Sequence, residues 1–383
     1  MISCGEPSGD LYAGALTAAL RDRDPDLPIF GFGGDRMRAA GAELIGHFHG
    51  LSVTGLSEVL RTLPRTWRMY RRLIAEAERR RPDVFVAVDF ADFNFRLGLA
   101  LHARGIPVVY YISPQLWAWR QGRIRTMRRF VSRVLVIFPF ELDIYRHAYI
   151  PVSFVGHPLV ELITTPPDRS TFRAHVGLSA DAPTIGLLPG SRRNELQQTW
   201  PILMDAARRL HAEVPGIQFL VARAPGLPDA LFDAGSDGAL PMAMVQDATD
   251  AVIASSDVVI TASGTATVQT ALHGTPMVIV YRLSPLTYRL GRPFVKVDTF
   301  GMVNLIAGRR IVPELIQDDF TAERVVAETL RYLTDDDYTR SVRAALQDVR
   351  AALGGSGASA RAAHEILDVA SARSAAPSRA REA

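Results

Sequence analysis

The stretch Thr184–Arg193, TIGLLPGSRR, constrains the fold more than any other part of the chain. Its apolar run Thr184–Leu188 reads as a buried parallel strand. Pro189 and Gly190 then force a turn, and Asn194–Leu210 carries apolar residues at helical spacing. A small-residue turn at a helix N-terminus presents backbone N–H groups and the positive end of a dipole, which suits a phosphate. Gly190 and Ser191 form that turn, and Arg192 and Arg193 bring planar guanidinium groups able to grip two oxygens. The alternative is a plain strand-to-helix turn with solvated arginines.

A second turn of the same kind favours the phosphate reading. Ala262–Thr267, ASGTAT, follows the apolar run Val258–Thr261 and precedes a short helix ending at His273-Gly274. Thr275-Pro276 then leads into the strand Met277–Tyr281. This is a βαβ unit with Ser263, Gly264 and Thr265 at the carboxyl end of its first strand, where open α/β sheets bind ligands. Two such turns suit a diphosphate. Neither contains a P-loop lysine, which disfavours nucleoside triphosphate hydrolysis.

Composition narrows the class. The chain has 383 residues, 48% hydrophobic and 22% charged, as expected for a globular protein of two domains. A net charge of +3 and the absence of any RNA- or DNA-binding motif argue against nucleic acid. Lys296 is the sole lysine, which leaves almost no candidate for Schiff-base chemistry, and Cys4 is the sole cysteine, which excludes an intrachain disulfide. No cluster of His, Asp and Glu stands at metal-ligand spacing, so no metal and no cofactor are expected. No signal peptide and no membrane-spanning run is evident, so the expected location is cytoplasmic. The loop Gly5–Asp10 arrives after only Met1–Cys4, so strand one is clipped or the start lies upstream.

The first half alternates strands at Pro28–Gly31, Val84–Val88, Val108–Ile112 and Val134–Phe138 with helices, the first running from Gly5–Asp10 to about Arg21. Gly31–Gly34 has the wrong spacing for a dinucleotide fingerprint and reads as a tight turn. The second half repeats the pattern at Thr184–Leu188, Gln218–Ala222, Val258–Thr261 and Met277–Tyr281. The expected fold is α/β: two Rossmann-like, doubly wound domains facing across a cleft. Residues 1–160 form the first, 161–345 the second, and 346–383 a C-terminal helix and a tail fraying beyond Val369.

Several separated motifs resemble the lipid-A-disaccharide synthase family of inverting GT-B glycosyltransferases. They are GEPSGD at 5–10, SVTGLSEVL at 52–60, VDFADFN at 88–94, YISPQLWAWRQGRI at 111–124, PFE at 139–141, FVGHP at 154–158, LLPGSRRNE at 187–195, ASGTAT at 262–267 and NLIAGRRIVPELIQ at 304–317. The resemblance implies transfer of diacylated glucosamine from UDP to a second diacylated glucosamine 1-phosphate. Residues 1–160 would then serve the acceptor and the membrane, and 161–345 the UDP-sugar donor.

An inverting transfer needs a general base for the acceptor hydroxyl. Asp89, at the carboxyl end of its strand, is preferred for that role; Asp92 is the second candidate, and either could instead cap the next helix. The resemblance makes Arg192 the leading group for the departing diphosphate, helped by Gly190, Ser191, Ser263, Gly264 and Thr265, and places Asn304 near the donor. Gln269 stands where the family usually has Glu, which in related enzymes holds the ribose hydroxyls. On the acceptor side the resemblance points to Ser8, Gly9, Asp10, Trp117 and His157. For Asp10 the alternative is capping its own helix, for Trp117 core packing, and for His157 a structural role.

The segment Ser57–Ile74 mixes Leu60, Leu63, Trp67, Tyr70 and Leu73 with Arg61, Arg65, Arg68, Arg71 and Arg72, with Pro64 expected to break it. That composition suits docking on the anionic inner face of the cytoplasmic membrane. A solvated amphipathic helix is the alternative. Competing functions are another UDP-sugar enzyme of the same fold, a peptidoglycan N-acetylglucosaminyltransferase or an epimerase, and a nucleotide-sugar-binding homologue without catalysis. Homo-oligomerisation is left open.

Overall fold

The computed structural model describes residues 1–49, 56–114, 116, 122–233, 240–283, 299 and 301–375, with no side-chain description at 56–62, 374 and 375. The chain divides into two compact units, Met1–Glu161 together with the stretch from Leu353, and Leu162–Ala352.

The first unit holds a parallel sheet of seven strands: β1 (Ile2–Ser3), β2 (Phe30–Gly33), β3 (Glu43–His47), β4 (Phe85–Val88), β5 (Val108–Tyr111), β6 (Arg133–Val136) and β7 (Val152–Phe154). Their order is β3-β2-β1-β4-β5-β6-β7, so the winding reverses between β1 and β4. Helices cover both faces, which is why β4, β5 and most of β6 are continuous buried apolar runs. Phe32, Phe85, Tyr110, Phe130 and Tyr145 fill the core. Gly31 belongs to β2 and not to a tight turn; a Cβ there would lie 1.7 Å from the Ile2 carbonyl oxygen, so the two strands require glycine.

The second unit has six parallel strands: β8 (Thr184–Leu188), β9 (Gln218–Arg223), β10 (Met242–Gln246), β11 (Val258–Ala262), β12 (Met277–Tyr281) and β13 (Glu314–Ile316). The order β10-β9-β8-β11-β12-β13 reverses between β8 and β11. Buried Ile185, Leu187, Phe219, Val259 and Ile279 build its sheet core.

Two expectations about helices are corrected. Pro64 does not break its segment, because a single helix runs Leu56–Arg80 through it. The proline removes one backbone donor, while the buried Leu73 and Ala77 anchor the helix to the core. The last helix, Ala358–Ala375, continues past Val369. It packs on the first helix, Pro7–Arg21, and Arg373 donates to the Pro82 carbonyl at 2.7 Å. Glu161 caps its start by accepting from the N–H groups of Gly357 (2.6 Å) and Ser359 (3.0 Å).

Candidate active site

In each unit the motif loops leave the two strands that flank the reversal of winding, the place where open α/β sheets bind ligands. Gly5–Asp10 follows β1 and Asp89 follows β4; Pro189–Arg192 follows β8 and Ser263–Thr265 follows β11.

At the end of β4, Asp89 and Phe90 both adopt left-handed backbone conformations, each with φ of 48°. For residues other than glycine that costs about 1–3 kcal/mol each, so the surroundings must hold them there. Asn94 is fully buried and donates through Nδ2 to the carbonyls of Asp89 (2.9 Å), Ser3 (2.9 Å) and Val88 (3.2 Å). Its Oδ1 accepts from the Ser3 hydroxyl at 2.7 Å. One amide therefore ties the ends of β1 and β4 to the turn. The Tyr110 hydroxyl adds a longer bond to the Asp89 carbonyl, 3.4 Å, and burial foremost keeps that phenol protonated. Phe90 lies against Gly5, where a Cβ would come within 2.2 Å of the ring. Asp89 is thus half-buried beside the first loop.

Asp92 is differently placed. Its exposed carboxylate lies in the first turn of the helix Ala91–His102 and pairs with Arg123 Nη2 at 2.5 Å. Its carboxylate is thus already engaged by a guanidinium group.

Ser8 is half-buried in the first turn of Pro7–Arg21, and Gly9 packs near Cys4 and the Val88 carbonyl. Asp10 caps a helix, though not its own. Its carboxylate accepts from the N–H groups of Gly34 (2.8 Å), Arg36 (2.9 Å) and Met37 (3.2 Å), at the start of the helix Asp35–Ala39. With three acceptor positions used, Asp10 shapes the loop and is largely withdrawn from substrate. His157 is buried in the first unit. It is buried edge-on to Tyr12 with Phe138 nearby, its Nδ1 accepts from the Leu159 N–H at 3.1 Å, and burial lowers its pKa to about 3. Trp117 lies outside the described residues.

In the second unit Arg192 is the N-cap residue of the helix Arg193–Glu213, and Ser191 and Arg192 are exposed. Glu195, which sequence reasoning missed, reaches back so that its Oε2 accepts from the Ser191 N–H at 3.2 Å. The turn expected to greet a phosphate already has an internal carboxylate on it. Tyr281 lies close by: burial raises its pKa, Glu195 adds to the rise and Arg192 opposes it.

Gly264 caps the helix Thr265–Leu272, again without a side-chain cap, while Ser263 is held by its N–H to the Val280 carbonyl at 3.0 Å. Thr265 is exposed at the first helical position. Gln269 donates through Nε2 to Asp250 Oδ1 at 2.7 Å. The same carboxylate receives His273 Nε2 (2.8 Å) and Thr164 through its N–H (3.1 Å) and hydroxyl (2.9 Å). Burial works against the Asp250 charge, but these hydrogen bonds outweigh it and bring the pKa to about 2. Asp250 had no sequence signal, since it lies well before the motif in an unremarkable helix.

Asn304 is engaged within its own unit. It is buried, and both amide protons and both oxygen lone pairs are used internally. Nδ2 donates to the Val312 carbonyl (2.9 Å) and Glu314 Oε1 (2.7 Å); Oδ1 accepts from the N–H groups of Ile311 (2.7 Å) and Val312 (3.0 Å). The side chain fastens the helix Met302–Ala307 to the approach of β13.

One group of side chains of metal-ligating type has no counterpart in the sequence reading. Among the described residues, Asp35, His47 and His49 place one ligand atom each within 4.8 Å of one another. The spacing rule missed them because sheet pairing, not sequence proximity, brings Asp35 to the two histidines.

The family model for lipid-A-disaccharide synthetase matches residues 1–367. A lipid-A-disaccharide synthase of Koribacter versatilis is 46% identical over 379 residues, covering 97% of this chain and 98% of the relative. One from Myxococcus xanthus is 43% identical over 370 residues, covering 96% and 97%. Solved structures are similar in fold. The UDP-GlcNAc 2-epimerase of Neisseria meningitidis bound to UDP-GlcNAc aligns with a TM-score of 0.68 at 12% identity, covering 96% of this chain and 98% of that one. Acinetobacter baumannii MurG aligns with a TM-score of 0.57 at 15% identity, again covering 96% and 98%. Motif order, two doubly wound sheets and whole-length similarity agree: the chain has the two-domain GT-B architecture and belongs to the lipid-A-disaccharide synthase family of glycosyltransferases.

Proposed function

We propose that the protein transfers 2,3-diacylglucosamine from UDP to 2,3-diacylglucosamine 1-phosphate, with inversion, at the inner face of the cytoplasmic membrane. The acceptor hydroxyl oxygen attacks the anomeric carbon while the bond from that carbon to the diphosphate oxygen breaks. The hydroxyl proton passes to Asp89, and the electron pair leaves with UDP. Arg192 and the turns at Gly190–Ser191 and Ser263–Thr265 take up the charge that develops on the diphosphate. Gln269 offers its amide oxygen to the ribose, oriented by the bond from its nitrogen to Asp250.

The observation that carries this reading is the backbone at Asp89. Two left-handed residues sit at a sheet reversal, fixed by a buried asparagine and adjoining the Gly5–Asp10 loop. Strain concentrated at such a position marks a functional turn. Membrane docking is supported by Leu63 and Trp67, one helical turn apart and 47% and 58% exposed, among exposed Arg65, Arg68, Arg71 and Arg72. Among the described residues no helix is long and apolar enough to cross a membrane.

The test is direct. Purified protein incubated with both lipid substrates should yield disaccharide 1-phosphate and UDP by mass spectrometry, and the Asp89→Asn variant should not. Absence of disaccharide with the parent protein would overturn the reading. Flotation with anionic vesicles should fail when Arg65, Arg68 and Arg72 are changed to Glu.

A further inference from the structure

We propose that Asp35, His47 and His49 form a binding site for a divalent transition metal ion of the zinc class. The parallel pairing of β2 with β3 sets Gly33 opposite His47, so the two strands leave the sheet side by side. Asp35 follows β2 by two residues, and His49 follows His47 by two. His47 Nε2 lies 3.4 Å from Asp35 Oδ1 and 3.4 Å from His49 Nδ1. Ligand atoms about 2.0–2.1 Å from a tetrahedral ion stand about 3.3 Å apart. These two edges are near coordination length, but the two imidazole rings lie stacked, with centroids 4.4 Å and planes 25° apart, so the exposed His49 ring must turn for both lone pairs to meet one ion.

The donor set selects the cation. Two imidazoles and one carboxylate suit zinc and its neighbours, whereas magnesium and calcium want all-oxygen shells. Three protein ligands leave the fourth position for water or an anion. His47 Nδ1 accepts from the His49 backbone N–H at 3.1 Å and lies 2.8 Å from His49 Nδ1, which leaves the His47 proton on Nε2, facing Asp35. Binding through His47 Nε2 and His49 Nδ1 needs a lone pair on each, so the His47 proton moves to its Nδ1, the His49 proton moves to its Nε2, and the 2.8 Å contact between the rings opens. Arg38 also reaches Asp35 Oδ1, at 3.3 Å, and the second carboxylate oxygen allows the two cations to be accommodated together. The site is coupled to the first loop, because the turn that carries Asp35 is the one Asp10 caps.

Untagged full-length protein, stripped with a chelator, should bind one equivalent of zinc ion by isothermal titration near neutral pH, with no response to magnesium. Cobalt substitution should give the intense visible bands of a four-coordinate site. The His47→Ala and His49→Ala variants should each lose more than the roughly 10–100-fold in affinity that indirect metal-site changes cost. Asp35→Asn should weaken binding while preserving the fold, and affinity should fall as pH drops through the imidazole range. Lack of stoichiometric zinc binding by the parent overturns the proposal. So does equal affinity in the histidine variants, which would place the ion on other side chains.

Discussion

Asn94 donates a hydrogen bond of 2.9 Å to the carbonyl of Asp89, and thereby holds the first of two consecutive left-handed residues. A buried side chain in this place can set where the carboxylate proposed as the base points. Removing it should therefore act on turnover more than on substrate binding. Asn94→Ala is expected to lower kcat with a smaller change in KM, and to cost about 1–3 kcal/mol of stability from orphaned buried partners. Steady-state kinetics beside urea denaturation separates the two effects; a KM change alone would contradict the positioning role.

The two aspartates should respond unequally. General bases contribute roughly 10²–10⁴-fold to rate, so Asp89→Asn should lose that much with its melting temperature nearly unchanged. Asp92→Asn forfeits an exposed ion pair and should stay within a few-fold of the parent. A larger loss at Asp92 would reverse the assignment.

Acid should destabilise the first unit through His157. Its pKa is about 3 when folded, against about 6.5 for an unperturbed imidazole. The unfolded chain thus takes up a proton that the folded one refuses, and stability falls as pH drops from about 6.5 towards 3. Between pH 8 and about pH 5 the loss should be on the order of 2 kcal/mol. His157→Asn, which keeps an acceptor for the Leu159 N–H, should show less of that loss in denaturant midpoints.

Asn304→Ala should behave as a folding variant. It takes the side-chain partner from the Ile311 and Val312 N–H groups and from the Val312 carbonyl, so about 1–3 kcal/mol of stability should go. At a temperature where the variant stays folded, UDP binding by calorimetry should be close to that of the parent. A selective loss of UDP affinity would return the side chain to the donor site.

Gln269→Glu places a second carboxylate beside Asp250. Like charges at that distance raise the pKa of the new group, so the penalty appears as pH rises through the ordinary glutamate value, near 4.3. The stability gap from the parent should widen between about pH 5 and pH 8, and a gap independent of pH would refute the mechanism.

The strands that sequence reasoning found are the interior ones, and the four it missed, β3, β7, β10 and β13, are the edges of the two sheets. An interior parallel strand is covered on both faces and shows a solid apolar run, as Thr184–Leu188 does. The edges mix exposed and half-buried positions, as in Glu43–His47 and Met242–Gln246, and merge with loops. The motif loops were legible because turns that meet ligands use small residues at fixed places. Asp250 was not, because its role comes from tertiary approach to Gln269, His273 and Thr164; Glu195 reaches only four residues back, to Ser191, a local contact that the motif did not single out. The internal bonds of Asn304 were equally hidden, because its position in a motif says nothing about which partners its amide meets.

The return of the helix Ala358–Ala375 to the first unit has a consequence for biosynthesis. Domains generally fold in order of emergence from the ribosome. Here the half made first lacks a wall until nearly the whole polypeptide has been translated, whereas Leu162–Ala352 is contiguous and can mature earlier. A nascent chain of this protein should therefore acquire protease resistance in its middle before its beginning, and a stop codon shortly after Leu353 would be felt at the Pro7–Arg21 helix.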